Sequence, residues 1–247
     1  MAGHSKWKQI KHYKAATDKK RGAMFTKLIR EITVAAKAGG GDPTGNPRLR
    51  VAIEAAKASS MPKENIERAV KKGTGELEGV DYVEVMYEGY GPGGVALLVH
   101  ALTDNPTRTV AEVRFALTHF GGNFGATNSV AWMFDRKGQI YVDAAKFPED
   151  VVMEAALEGG AEDVVTADGQ HVITTDPTAV HAVRTALEAK KIVVQEAEIT
   201  MLPKNTVKVE GKNAEAVLKL MEELEDLDDV QKVESNFDID LAEMAKA

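Results

Sequence analysis

Lys6, Lys8, Lys11, Lys14, Lys19, Lys20, Arg21, Lys27 and Arg30 place nine cations in the first thirty residues, against a single acid, Asp18. Ammonium and guanidinium groups at that density can displace the counterions condensed on a phosphate backbone, a binding term indifferent to sequence and steeply dependent on salt. His4 and His12 lie in the same arm and can touch phosphate or stack on bases. Trp7 and Tyr13 are interleaved with the lysines, and aromatic rings stack on unpaired bases for ~1–3 kcal/mol each. Trp7 can equally pack on Ile10 and a helical core. Further on stand Arg48, Arg50, Lys57, Arg68, Lys71 and Lys72. Through residue 75 the count is 17 Lys and Arg against 6 Asp and Glu, a net of +11, while the remaining 172 residues hold 14 against 32, a net of -18. A merely solvated charge run would mix its signs and avoid self-repulsion. One end of the chain is therefore expected to meet a polyanion, provided that carboxylates from the rest do not neutralise it.

Other chemistries lack their residues. The chain has no cysteine, which removes disulfides, thiolate nucleophiles and thiolate metal sites and suits a reducing cytosol. The six histidines, His4, His12, His100, His119, His171 and His181, show none of the paired spacings of zinc sites. His100, in an apolar run, reads as a hydrogen-bonded, partly buried side chain. No nucleophile elbow, metalloprotease helix or kinase signature is present. Gly89, Gly91 and Gly94 have the spacing of a dinucleotide loop, but such a loop must open a helix at its third glycine. Here Pro92 interrupts it and an apolar run follows, so a hairpin is expected. The reading is of a non-enzyme with no catalytic residues, cofactor or metal.

At 247 residues, 44% hydrophobic and 28% charged, the chain can build two or three domains. No stretch is long and apolar enough to span a bilayer, and no apolar core follows the early lysines as in a signal peptide. A mitochondrial transit peptide would use Arg and Ser where this arm uses Lys. The cytoplasm is the expected location.

The elements that must carry the cations follow from periodicity. Phe25, Leu28, Ile29, Ile32, Ala35 and Ala36 repeat at three and four residues, as on one helical face. Gly39 to Gly41 end that helix. Pro47 opens a second with Leu49, Ala52, Ile53 and Ala56, and Ile66, Ala69 and Val70 a third that stops at Gly73. Beyond Gly75, Tyr82–Glu88 and Val95–Leu102 read as strands, Thr107–Phe120 as a helix capped by Thr107, and Val130–Phe134 as a further strand. From Gly138 the order is strand, helix, two strands, helix, strand, the ferredoxin-like split unit. The last segment, with a strand near Thr206–Val209, a helix Asn213–Leu224 and a strand near Val230–Ser235, is expected to return to the sheet begun at Tyr82. Its acidic run, Glu222, Glu223, Glu225, Asp226, Asp228 and Asp229, reads as a solvated helix face or as a repeller of nucleic acid from the rear of the molecule. The expected fold class is α+β in three domains: a basic helical domain, 1–75; a discontinuous α/β domain, 76–136 plus 203–247; and an inserted ferredoxin-like α/β domain, 137–202.

The opening Ala2-Gly3-His4-Ser5-Lys6-Trp7, the segment FTKLIREITVAAKAGGGDPTGNPRLR from Phe25, MPKENIERAVKKG from Met61, YEGYGPGG from Tyr87, TDNPTRTVAEVR from Thr103 and SVAWMF from Ser129 closely resemble the YebC/PmpR family, whose mitochondrial relative is the translational activator of cytochrome c oxidase subunit I. The resemblance implies a three-domain protein without known catalytic activity. It implies a DNA-binding transcriptional regulator or, alternatively, a ribosome-associated factor that binds ribosomal RNA and aids synthesis of proline-containing stretches. The motif starts at Ala2, as expected of a bacterial cytosolic member. The cations through residue 75 match the family's basic region, and no single one is assigned to a base. No Asn/Gln/Arg reading face or dimerising zipper marks the three helices. A rival of another class is a protein-interaction module that uses the acidic lobes.

Overall fold

The computed structural model describes residues 18–167 and 169–239, with side chains from Gly22 onward. The first helix, α1 (Asp18–Gly39), runs into α2 (Pro47–Ala58) and α3 (Lys63–Thr74). Ile32, Ala36, Leu49, Ala56, Met61 and Ile66 bury their side chains together between them. Asn46 sets the corner between α1 and α2: its Oδ1 accepts from Leu49 N at 3.1 Å, while Nδ2 donates to Ala35 O at 2.7 Å and Gly40 O at 2.9 Å. One buried amide thus caps α2 and satisfies two carbonyls at the end of α1. On α3, Gly73 permits the approach to α1, because a Cβ there would lie 2.4 Å from the carbonyl oxygen of Thr33.

The chain then forms β1 (Val83–Tyr90) and β2 (Ala96–Thr103), antiparallel neighbours with Tyr90 opposite Ala96. The glycine-rich loop between them is the expected hairpin. Gly91 N donates to Val95 O at 2.7 Å, and Gly93 and Gly94 take φ of 75° and 79°, conformations that side chains resist. Helix α4 (Pro106–His119) follows, then the short β3 (Asn123–Phe124). The cap of α4 is Asn105, whose side chain accepts from Arg108 N, and Thr107 lies inside the first turn. Pro106 explains the shift, since it suits the first helical position and gives up no needed N–H.

The expected strand over Val130–Phe134 is replaced by a 3-10 turn, Ala131–Met133, and the strand β4 starts at Phe134 and runs to Asp143. The buried Glu88 accounts for this. Its carboxylate accepts from the backbone N–H groups of Asn128, Val130 and Ala131 at 2.6, 2.7 and 2.8 Å, so those amides cap a loop and cannot join a ladder. After β4 come α5 (Glu149–Glu158), β5 (Ala161–Ala167), β6 (Gln170–Thr175), α6 (Val180–Ala189) and β7 (Val194–Pro203). The sheet order β5-β6-β4-β7, antiparallel throughout, is that of the ferredoxin-like unit. Ile140, Val142, Val152, Ile173, Val183 and Leu187 form its core. His171 is buried there, with Nδ1 2.7 Å from Thr166 Oγ1 and Nε2 2.8 Å from Phe147 O. A carbonyl only accepts, so Nε2 carries the proton and the Thr166 hydroxyl donates to Nδ1. Both nitrogens are satisfied by the fold.

The chain finishes with β8 (Val207–Lys208), α7 (Gly211–Asp226), β9 (Val230–Ser235) and β10 (Phe237–Asp238). Strand β9 pairs with β2, giving the sheet order β3-β1-β2-β9. An inner strand loses both faces to packing, which is why β2 is apolar almost throughout. Leu97, Val99, Val113, Leu117, Leu220 and Phe237 centre the core of this sheet with α4 and α7. His100 lies in β2 with Nε2 2.6 Å from Glu234 Oε2. Two compact units result: residues 132–206, and a larger one in which the three helices pack with the β1-β2-β9 sheet.

Candidate nucleic-acid interface

The cations through residue 75 fall into distinct groups. Lys6, Trp7, Lys8, Lys11, His12 and Lys14 lie outside the described residues. Lys19, Lys20 and Arg21 belong to the first turn of α1, and their side chains are outside the described set. Of the other ten, Lys37 pairs with Asp81 and Lys63 with Glu67, and the remaining eight divide by what they face.

Lys27, Arg30 and Arg48 turn towards the protein. The Lys27 ammonium donates to Glu225 O at 2.5 Å, a carbonyl at the end of α7. Arg30 reaches the turn after α7: Nη1 donates to Asp229 Oδ1 at 2.6 Å, to the Asp228 carbonyl and to Leu102 O at 3.4 Å. Its guanidinium also lies 5.5 Å from the centre of the Tyr82 ring. Arg48 bridges Glu31 of α1 at 2.7 Å and Glu84 of β1 at 2.5 Å.

Asp229 anchors this arrangement. Only 2% of it is exposed, and a carboxylate so buried must be fully paired or neutralised. Its Oδ2 accepts from Arg108 Nη2 at 2.8 Å, Thr109 Oγ1 at 2.6 Å and Thr103 Oγ1 at 3.1 Å, while Oδ1 takes Arg30. Burial pushes its pKa up, but the Thr109 hydroxyl, the Arg108 guanidinium and the charge of Arg30 together hold the carboxyl below its usual range. Asp104 pairs with Arg108 at 2.7 Å. The segment Thr103–Thr109 therefore serves the fold. Asn105 and Pro106 start α4, and Thr103, Arg108 and Thr109 surround one acid. The open cleft beside it has both signs on its walls, from Arg30 and Arg108 to Asp104, Glu112, Asp226 and Asp228, and its excess of carboxylates makes it a poor place for a phosphate.

Arg50, Lys57, Arg68, Lys71 and Lys72 point outward. All five are exposed, and among the described residues no carboxylate lies within 4.0 Å of their charged groups. Arg50 and Lys57 lie two turns apart on α2, which aligns them on one side. Arg68, Lys71 and Lys72 occupy the last two turns of α3, where the helix dipole favours positive charge. The exposed acids of the same two helices, Glu54, Glu64 and Glu67, are fewer than these five cations, so the net charge of this surface favours an approaching phosphate.

Sequence reasoning misses Asp229 and Glu88. Asp229 is one of six acids in a run that reads as solvated, and nothing in its neighbours marks it as the buried one. Thr103 and Thr109, at a spacing of six around an Asn-Pro helix start, are the one available signal of a buried acceptor.

Residues 5–76 match the family described as the TACO1/YebC protein N-terminal domain, and residues 82–237 match the TACO1/YebC second and third domain. A protein of Gemmatimonas aurantiaca is 66% identical over 247 residues, the whole of both chains. One of Geobacter sulfurreducens is 58% identical over 246 residues, covering 100% of this chain and 99% of its own. Both carry the name probable transcriptional regulatory protein. Among solved structures, a conserved hypothetical protein from Aquifex aeolicus is 50% identical with a TM-score of 0.83, covering 92% of this chain and 94% of that one.

Proposed function

Because the chain belongs to the TACO1/YebC family, we propose that it is a nucleic-acid-binding regulator of gene expression, acting in the cytoplasm without catalysis or cofactor. Control of transcription on DNA is the leading reading, in keeping with the names of its relatives. The observation that carries it is the set of exposed cations Arg50, Lys57, Arg68, Lys71 and Lys72, which have no carboxylate partner among the described residues, and to which Lys19, Lys20, Arg21 and the arm from Lys6 to Lys14 add charge. These groups grip phosphate, while the acidic remainder of the chain repels it and confines contact to one end.

A second reading, a ribosome-associated factor on RNA, is favoured by the composition of the same helices. The exposed positions of α2 and α3 include neither Asn nor Gln, the side chains that read adenine edges in a major groove. Backbone, shape and unpaired bases then carry recognition, as is usual for RNA.

Salt-titrated binding of the full chain to duplex DNA and to structured RNA tests the proposal. The expected result is affinity that falls steeply with salt, and a log–log salt slope shallower by roughly 3 to 4 when Lys57, Arg68, Lys71 and Lys72 are all replaced by Ala, at ~0.9 per phosphate contact. Unchanged affinity and slope in that variant would remove the outward cations from the mechanism. Preference for duplex DNA supports the transcriptional reading, and preference for RNA the ribosomal one.

A further inference from the structure

The outward cations leave unexplained an aromatic group on α4. Phe115 is 66% exposed, a poor position for a large apolar ring that could contribute to a core. Its ring lies parallel to that of His119, one turn on, with centroids 5.6 Å apart and planes 18° from each other. His119 is itself held edge-on by Phe120 at 4.9 Å, and Phe120 packs on the core of the β1-β2-β9 sheet. Beside them the Arg114 guanidinium is held 4.9 Å over the ring of Phe124. Arg114 is exposed, and among the described residues no carboxylate lies within 4.0 Å of it. Two flat rings and a planar cation thus stand together at the surface, each against an aromatic neighbour.

We propose that Phe115 and His119 form a stacking platform for an unpaired base of a single-stranded nucleic acid, with Arg114 on an adjoining phosphate. The proposal rests on the nucleic-acid reading above and adds to it a class of target, a strand with splayed bases. Ring faces and guanidinium planes are the groups that hold unpaired bases without regard to sequence. Charge favours the same occupant: Arg114 and His119 lie in the second half of α4, Val113 to His119, which carries no acid. A protein partner fits less well. The other exposed side chains of this stripe are Ala111, Arg114 and Thr118, so one large apolar ring stands alone where a stable protein interface needs ~800 Å2 from each side.

The test compares the full chain with its Phe115→Ala, Phe115→Leu, Phe115→Tyr and His119→Ala variants in fluorescence anisotropy with oligo(U) RNA, oligo(dT) DNA and a perfect RNA duplex. Thermal melting of each variant verifies that the fold is kept. Loss of stacking on one base should weaken oligo(U) binding ~5- to 150-fold in Phe115→Ala, with a loss in His119→Ala, while duplex binding is unchanged. Phe115→Tyr should retain affinity, and Phe115→Leu, apolar but not flat, should lose it. Equal losses on oligo(U) and oligo(dT) identify the base face as the ligand, and a loss confined to oligo(U) identifies RNA. Full affinity in Phe115→Leu, or equal losses on single strands and duplex, would overturn the platform and leave the cationic face untouched. Failure of the parent chain to bind any of the three probes would overturn the nucleic-acid reading itself.

Discussion

The inward and outward cations of the three-helix region differ in partner, not in residue type. Arg30 on α1 and Arg68 on α3 carry the same guanidinium; one ends on a buried carboxylate and the other ends in solvent. A positive net charge therefore overstates the surface available to a polyanion. Lys27, Arg30 and Arg48 attach the helices to α7 and the turn after it, to β2 and to β1, and Arg50, Lys57 and the cations at the end of α3 remain open. A charge block can thus serve as glue on one side and as a binding face on the other.

Removing Asp229 strikes most directly at this division. Asp229→Ala leaves Arg30, with a side chain only 11% exposed, without the carboxylate it is paired to, and removes the charged acceptor shared by the Thr103 and Thr109 hydroxyls. Breaking a buried pair from one side costs about 3–5 kcal/mol, so a large loss of stability is expected in urea denaturation. Replacing Arg68 by Ala should change stability by less than about 0.5 kcal/mol, the usual result for an exposed side chain without partners. Equal effects from the two substitutions would erase the distinction between inward and outward cations.

How far the sequence exposes this division depends on the kind of signal. The helices, the inner strand β2 and the ferredoxin-like order are legible because each imposes a period on apolar residues, and a period survives without knowledge of the partner. Helix starts are less so: Thr107 and Asn105 are both acceptable caps, and only the position of Pro106 against the observed turn separates them. The roles of Arg30 and Asp229 are hidden because the two are 199 positions apart, and ion pairing across that distance leaves no local pattern. Glu88 is hidden for a related reason. A carboxylate that caps a loop about forty residues later resembles any polar residue in an alternating strand, so Val130–Phe134 reads as a strand.

Acid should act on the same inward contacts. Asp229 is held below its usual range as described, and Glu88 is too: burial raises its pKa, but the backbone N–H groups of Val130, Asn128 and Ala131 outweigh that. A carboxyl with a depressed folded pKa contributes stability that is complete above its unfolded value of about 4 and is lost as the pH falls through the folded value. Stability should therefore be level from neutral pH down to about 5 and fall below about 4. The Asp229→Asn and Glu88→Gln variants should each flatten that fall, measured by thermal melting across the acid range. A parent whose melting temperature does not drop below about pH 4 would show that neither carboxylate is protonated at a cost to the fold.

Arg48 tests where the boundary between the two groups lies, and its effect should be the smallest. It forms ion pairs with Glu31 and Glu84, as an inward cation does, yet its side chain is 40% exposed, and those of the two acids are 30% and 55% exposed. Solvent screens such pairs to about 0–1 kcal/mol. Arg48→Ala should therefore lower stability by no more than about 1 kcal/mol in urea denaturation, and the loss should shrink further in high salt, where exposed charges are screened. If Arg48 behaved like Arg30, with a loss of several kcal/mol that salt did not reduce, contact with β1 would be as firm as contact with Asp229, and the binding face would begin only at Arg50.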